Sequence, residues 1–154
     1  TVTIRPSAKG LFTLTPTYHQ HLMVSTVTGI VPYISILRDY LHRGVEGHRF
    51  YLLHGASYQD EFGYDEEVCR LAEEHLETVT FVRTVSRPQE ERNDGWKGET
   101  GRVNTVVGKY IEQFELDPGS TLIYACGHPG MIESIKEQFG PLGWNITEER
   151  FWKQ

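Results

Sequence analysis

The clearest structural signal in this sequence is the stretch Thr121-Leu122-Ile123-Tyr124-Ala125-Cys126-Gly127-His128-Pro129-Gly130-Met131. Its first six residues form a compact apolar run, which is typical of a strand buried in a parallel sheet. Its last residue opens a series of apolar side chains at helical spacing, at positions 131, 132, 135 and 139. The stretch therefore predicts a buried strand, a tight turn that contains glycine, and a helix.

The same order of elements recurs along the chain. Runs that predict strands cover residues 22–25, 50–54, 79–82 and 121–126, and residues 145–151 are a fifth candidate. Helical spacing follows the first four strands; in the second helix the apolar stripe is Val68, Leu71, Ala72 and Leu76. This alternation predicts an α/β fold, a parallel sheet with helices on both faces. Ligands bind at the carboxyl ends of strands in such sheets, so we expect functional residues after Ser25, His54, Arg83 and Cys126.

Composition narrows the class of protein. The 154 residues suit one domain, and the net charge of −6 argues against nucleic acid as a partner. No apolar run approaches the roughly 18 residues of a membrane span, and the N-terminus has no signal pattern. Cys69 and Cys126 make no metal-ligand spacing, and we expect free thiols and a cytoplasmic location. Residues 1–16 contain two short extended pieces, broken by Pro6 and Gly10.

The segment Thr26-Val27-Thr28-Gly29-Ile30-Val31-Pro32 lies between the first strand and its helix. Backbone N–H groups at such a helix start, together with the helix dipole, favour an anion such as a pyrophosphate. Gly29 would let the backbone approach that anion closely. The alternative interpretation is an ordinary turn that needs one glycine for its φ angle.

Two further segments carry candidate chemistry. A small thiol at Cys126 followed by Gly127 leaves room for a flat ring, although a buried cysteine is also a common small core residue. The loop after the third strand holds four positive charges in an acidic chain, and arginine forks onto phosphate; they are Arg87, Arg92, Lys97 and Arg102. A solvated loop is the alternative there. His54 lacks a catalytic partner in sequence, and His19 and His21 lack a third metal ligand.

In order and separation, these segments resemble the ferredoxin–NADP reductase family. Cys126-Gly127-His128-Pro129-Gly130-Met131 resembles its Cys-Gly-x-Pro-x-Met signature, and residues 25–37 resemble its pyrophosphate segment. His54-Gly55-Ala56 is similar to its second strand-to-helix junction, and residues 85–87 with 98–102 to its adenosine region. Glu148-Glu149-Arg150-Phe151-Trp152 is similar to the tail of its bacterial branch. Residues 1–14 look like the last strands of its flavin barrel.

The resemblance implies a doubly wound, five-stranded parallel sheet in the order 3-2-1-4-5, with residues 17–154 as the NAD(P)-binding domain and residues 1–16 as a barrel remnant or linker. It implies catalytic roles for Cys126 and Glu149. It implies cofactor contacts at Thr26, Thr28, Gly29, Ile30, Pro32, Ser57, Ser86, Arg87, Arg102, Cys126, Gly127, Pro129, Met131 and Trp152. Two positions depart from the family pattern. Val27 stands where the family has its first loop glycine, and Ser57 where many bacterial members have arginine.

The implied function is hydride transfer between NAD(P)H and FAD, with NADP favoured over NAD. Electrons would pass to or from ferredoxin, flavodoxin or another carrier. The family's Arg-x-Tyr-Ser flavin motif is absent, so a flavin-binding domain upstream would hold the FAD. One alternative is the NADH-dependent reductase component of an oxygenase. Another is a non-catalytic domain that has lost nucleotide binding, for which Val27 is the best argument.

Overall fold

The computed structural model describes residues 14–150. Its strands are β1 (Gln20–Thr26), β2 (Arg49–Ala56), β3 (Val79–Val85), β4 (Glu99–Thr100), β5 (Thr121–Cys126) and β6 (Asn145–Glu149). Its α-helices are α1 (Val31–Arg43), α2 (Asp65–Glu74), α3 (Val103–Gln113) and α4 (Pro129–Phe139). Short 3-10 helices cover Val27–Ile30, Gln59–Glu61, Glu91–Asn93 and Gly140–Leu142. The expected barrel remnant and Trp152 fall mostly or wholly outside the described residues.

The strands form a single sheet in the order β4-β3-β2-β1-β5-β6, and every neighbouring pair is parallel. The α/β class and the predicted order of the five main strands are confirmed. The predicted count of five is wrong by one, because β4 lies within the loop that follows β3. β4 has only two residues, which pair with Thr84 and Val85, and so short a strand leaves no alternation in the sequence.

Helices cover both faces of the sheet, as the alternation of side chains requires. Met23 of β1 belongs to the core under α1 and α2, whereas its neighbours Leu22 and Val24 belong to the core under α3 and α4. All three side chains are fully buried, because successive strand residues point to opposite faces and each face carries a helix layer.

One end of the second predicted helix is wrong. The helix α2 ends at Glu74, so Leu76 lies beyond it and is 76% exposed. His75, the residue that follows Glu74, leaves helical geometry at φ −129° and ψ 57°. Its carbonyl group accepts hydrogen bonds from the backbone N–H groups of Thr78 and Val79. The chain thus turns into β3 earlier than the apolar spacing indicates.

Helix length also bears on membranes. Within residues 14–150 no helix is both long enough and apolar enough to span a bilayer.

Candidate functional site

A cleft opens where the sheet reverses its direction of growth. From β1 the chain adds β2, β3 and β4 on one side, then returns to place β5 against the other side of β1. Ligands bind at the carboxyl ends of the strands at such a switch point. The cleft measures about 730 Å³ and is lined by Thr26, Val27, Thr28, Gly55, Ala56, Ser57, Ser86, Arg87, Arg102, Val103, Asn104, Gly127, His128, Gly130 and Met131.

The β1–α1 segment forms one wall of the cleft. Of the cofactor contacts expected in this segment, Thr26 and Thr28 line the cavity, whereas Gly29, Ile30 and Pro32 do not. Ile30 is buried in the core, and Pro32 lies in the first turn of α1.

Gly29 allows a close contact between two loops that was not expected from the sequence, and its expected cofactor contact stays a prediction. It is buried, and a Cβ built on it would lie 2.2 Å from the carbonyl oxygen of Cys126. Real Cβ atoms do not approach backbone this closely, so the absent side chain lets the loops after β1 and β5 pack together. The structure thus assigns this glycine to packing between the two loops.

The turn after β5 forms the opposite wall. Gly127 has φ +132°, which favours glycine, and a Cβ there would lie 2.2 Å from the Thr26 hydroxyl oxygen. That hydroxyl accepts a hydrogen bond of 2.8 Å from the backbone N–H of His128. The His128 ring in turn caps α4, since its Nδ1 accepts from the N–H of Gly130 at 2.9 Å. Pro129 and Met131 occupy the first turn of α4, and Met131 reaches the cleft.

Cys126 is fully buried at the end of β5 and does not line the cleft. Burial raises the pKa of its thiol to about 12, and the negative charge of Glu149 adds to that shift. Glu149 is its register partner on β6 and is half-buried. The thiol is therefore uncharged at neutral pH and a poor nucleophile. The catalytic roles expected for both residues stay predictions.

The far end of the cleft is positively charged and aromatic. Arg87 donates from Nη1 to the Tyr58 hydroxyl at 3.2 Å, and the same nitrogen lies 3.6 Å from Glu90 Oε2. Tyr58 donates to that Glu90 oxygen at 2.9 Å. Arg102 lines the cleft and has no ion-pair partner among residues 14–150. The hydrogen bonds of Tyr58 thus join Arg87 and Glu90 in one small polar cluster at the edge of the cleft.

Asn93 organises this end of the cleft and was not among the residues expected from the sequence. Its buried side chain donates from Nδ2 to the carbonyl groups of Ser57 and Arg87, both at 2.9 Å, and accepts from Gln59 N–H at 2.8 Å. A lone asparagine in a polar loop gives no signal in sequence, because its three partners lie on two different loops. It ties the β2–α2 loop, with Ser57, to the loop after β3.

Metal ligation is not supported in the described chain. His48 joins His21 across a 2.8 Å hydrogen bond, which supplies the third imidazole missing from the sequence pattern of His19 and His21. Even so, no group of three or more His, Cys, Asp or Glu side chains within residues 14–150 is arranged to hold a metal ion.

Known proteins are similar to this chain in sequence and in fold. A family model described as the oxidoreductase NAD-binding domain matches residues 23–137. The chloroplastic root isozyme 2 of ferredoxin–NADP reductase from Arabidopsis thaliana is 31% identical over 135 residues, which are 84% of this chain and 33% of that protein. NADH-cytochrome b5 reductase 1 from Candida glabrata is 26% identical over 137 residues, 88% of this chain and 46% of that protein.

Solved structures agree on the fold. A ferredoxin NADP+ reductase from Neisseria gonorrhoeae, with bound FAD and NADP, matches with a TM-score of 0.71 at 24% identity, over 89% of this chain and 58% of that one. The cytochrome b5 reductase domain of Ulva prolifera nitrate reductase matches with a TM-score of 0.71 at 22% identity, over 87% of this chain and 49% of that one. This chain thus spans between a third and about half of the curated relatives named above. The resemblance to ferredoxin–NADP reductases is confirmed, and the chain belongs to the oxidoreductase NAD-binding domain family.

Proposed function

We propose that this domain binds NADP(H) in the cleft and presents its nicotinamide to a flavin held by another domain. One observation carries the proposal: eight of the residues that the sequence predicts to contact the cofactor line the cleft at the switch point. They are Thr26, Thr28, Ser57, Ser86, Arg87, Arg102, Gly127 and Met131. A cavity of about 730 Å³ is the size of an ordinary ligand site.

The electrostatics of the cleft suit a dinucleotide. The first turn of α1, which follows the cleft-lining residues Thr26 to Thr28 in the chain, contains no acidic residue, so no carboxylate there offsets the positive end of the helix dipole. Thr28 is exposed there and offers a hydroxyl group to a pyrophosphate. Arg87 and Arg102 concentrate positive charge at the other end, in a chain whose net charge is −6. The pyrophosphate would lie at Thr28 and the adenosine ribose near Ser86 and Arg87.

We favour NADP over NAD. A 2′-phosphate is a charged acceptor that arginine binds well, and Arg87 is exposed at the expected ribose position. Its present partner Glu90 is only 3.6 Å away and would have to yield to the phosphate. The same carboxylate favours the NADH-dependent alternative, since a carboxylate at this place hydrogen-bonds the ribose hydroxyls of NAD.

A flavin held by another domain would supply the redox chemistry that links two-electron hydride transfer to single-electron carriers. The chain's own residues position the nicotinamide. Gly127 lines the cleft at the end of β5, where the flat ring would lie, and the neighbouring Cys126 is neutral and places no charge near that ring. We propose that residues 17–154 are the dinucleotide domain, that residues 1–16 end a flavin barrel or form a linker, and that the carrier is ferredoxin, flavodoxin or a related protein. Two free cysteines support a cytoplasmic location.

Calorimetric titration of the 154-residue protein with NADP+ and with NAD+ tests the proposal. We expect one-to-one binding of both, with NADP+ bound more tightly. Tighter binding of NAD+ would favour the NADH-dependent reductase component. No heat from either nucleotide at millimolar concentration would contradict the proposal and favour the non-catalytic domain.

A further inference from the structure

His54 is a buried histidine to which the proposed function assigns no role. It is the sixth residue of β2 and has no exposed surface. Its ring lies edge-on to Phe62, with centroids 5.1 Å apart, and is stacked on Phe81 at 6.4 Å. Its Nε2 atom lies 2.8 Å from the carbonyl oxygen of Val27, in the β1–α1 loop that lines the cleft.

The tautomer of His54 follows from its surroundings. Burial lowers the pKa of the imidazole to about 4, so the ring is neutral and carries a single proton. The charged groups that face it, Asp65 and Arg83, pair with each other at 2.7 Å. Because a carbonyl oxygen only accepts, that proton is on Nε2 and is donated to Val27. Nδ1 is buried and has no partner among residues 14–150.

Val27, which accepts the hydrogen bond from His54, has a strained backbone conformation. Its φ of +42° is in the left-handed region, where β-branched side chains are strained. A strained residue persists only when its surroundings determine its conformation. The same φ angle sets the direction in which the chain enters Thr28, the residue proposed to meet the pyrophosphate.

We infer that His54 is a positioning residue for the dinucleotide: its Nε2–H holds the carbonyl of Val27, so that Thr28 faces the cleft before the ligand arrives. This inference rests on the proposed function. It also accounts for how the family fold is built here without the first loop glycine, since a hydrogen bond from β2 maintains a conformation that glycine adopts freely.

Two substitutions at His54 separate the hydrogen bond from the packing of the ring. His54→Gln keeps an amide N–H donor of similar reach, whereas His54→Phe keeps the flat ring and removes the donor. We expect the Kd for NADP+ to rise about tenfold or more in His54→Phe and to stay within about threefold in His54→Gln, which matches the loss and retention of one hydrogen bond to a loop.

Val27→Gly supplies the second half of a double-mutant cycle. Glycine needs no restraint at φ +42°, so adding His54→Phe to Val27→Gly should raise the Kd by less than about threefold. The backbone N–H of Val31 bonds the carbonyl oxygen of Thr28, so its hydrogen exchange, measured without nucleotide, should accelerate in His54→Phe and not in the double variant.

The outcomes are distinguishable. If the unaltered protein binds neither nucleotide, the proposed function fails and this inference fails with it. If the unaltered protein binds NADP+ and His54→Phe binds it equally well, only the inference fails. If His54→Phe does not fold, the double variant decides: folding with nearly normal binding supports the inference. Weak binding by a folded double variant, or its failure to fold, overturns it, because His54 would then serve the core and not the loop.

Discussion

The backbone of Gly29 packs against the carbonyl group of Cys126, so that a Cβ on Gly29 would lie 2.2 Å from that oxygen. A second close contact joins the same two segments, since a Cβ on Gly127, in the turn after β5, would lie 2.2 Å from the Thr26 hydroxyl oxygen. The loops that follow β1 and β5 can therefore pack this closely only because each contributes a glycine at the contact. Because these loops form two walls of the cleft, the width of the proposed nucleotide site depends on this packing.

Gly29→Ala should destabilise the protein by about 2–3 kcal/mol, since the new methyl group forces two main-chain segments apart. Urea unfolding measures the change. Gly108→Ala is the matched control, because Gly108 lies inside α3 and a Cβ on it would meet no atom within 4 Å outside its own helix. Alanine at this position should raise the free energy of unfolding by about 0.5–1 kcal/mol. Equal urea midpoints for Gly29→Ala and the unaltered protein would contradict the packing role.

The regular elements were predictable because their signals are local. Three fully buried residues of β1 show as an apolar run, and the stripe of α4 shows as helical spacing. β4 and the contacts of Asn93 were not predictable, because both depend on contacts between loops that are separate in sequence. The contact of Gly29 with Cys126 was missed for the same reason: the two residues are 97 positions apart, although the need for a glycine was evident.

Arg87→Ala should weaken NADP+ binding roughly ten- to a hundredfold and leave NAD+ nearly unchanged, since a charge-assisted hydrogen bond contributes about 1.5–3 kcal/mol. Calorimetry with both nucleotides measures the selectivity. Equal losses for NADP+ and NAD+ would show that Arg87 does not contact the 2′-phosphate.

Glu90→Gln should have the opposite effect on selectivity. The Glu90 carboxylate competes with a phosphate for Arg87 at 3.6 Å, and an exposed pair of this kind contributes at most about 1 kcal/mol. We therefore expect NADP+ affinity to rise by about fivefold or less. The same titration checks it, with Glu91→Gln, on the adjacent exposed position, as the control. A fall in NADP+ affinity would show that Glu90 supports the nucleotide.

Cys126→Ala should leave the fold intact and slow hydride transfer in the intact flavoprotein. The thiol is buried at the end of β5, next to Gly127 in the chain, and loss of its volume would let a ring placed at that strand end shift from near-attack geometry. Single-turnover flavin reduction by NADPH measures the rate, and thermal unfolding checks the fold. Reduction at the unaltered rate would remove Cys126 from the site.

Stability should fall as the pH drops from 7 to 5. Burial lowers the pKa of His21 to about 3 and of His54 to about 4, from an ordinary value of 6.5. Below pH 6.5 the unfolded chain therefore binds more protons than the folded chain. Each of the two histidines should lower the free energy of unfolding by about 2 kcal/mol at pH 5. Urea unfolding at the two pH values tests this, and His54→Gln should remove one histidine's share. Equal free energies at both pH values would show that these rings are not buried in the neutral form.

The most direct test of the central claim is nuclear magnetic resonance of the 15N-labelled protein during titration with NADP+. If the dinucleotide binds in the cleft, the largest amide shifts will lie at Thr28, Ser86 and Gly127, on the loops after β1, β3 and β5. The amides of His21 and Phe50, which lie in β1 and β2 away from their carboxyl ends, should hardly move. Shifts concentrated at that opposite edge, or none at saturating nucleotide, would contradict the account.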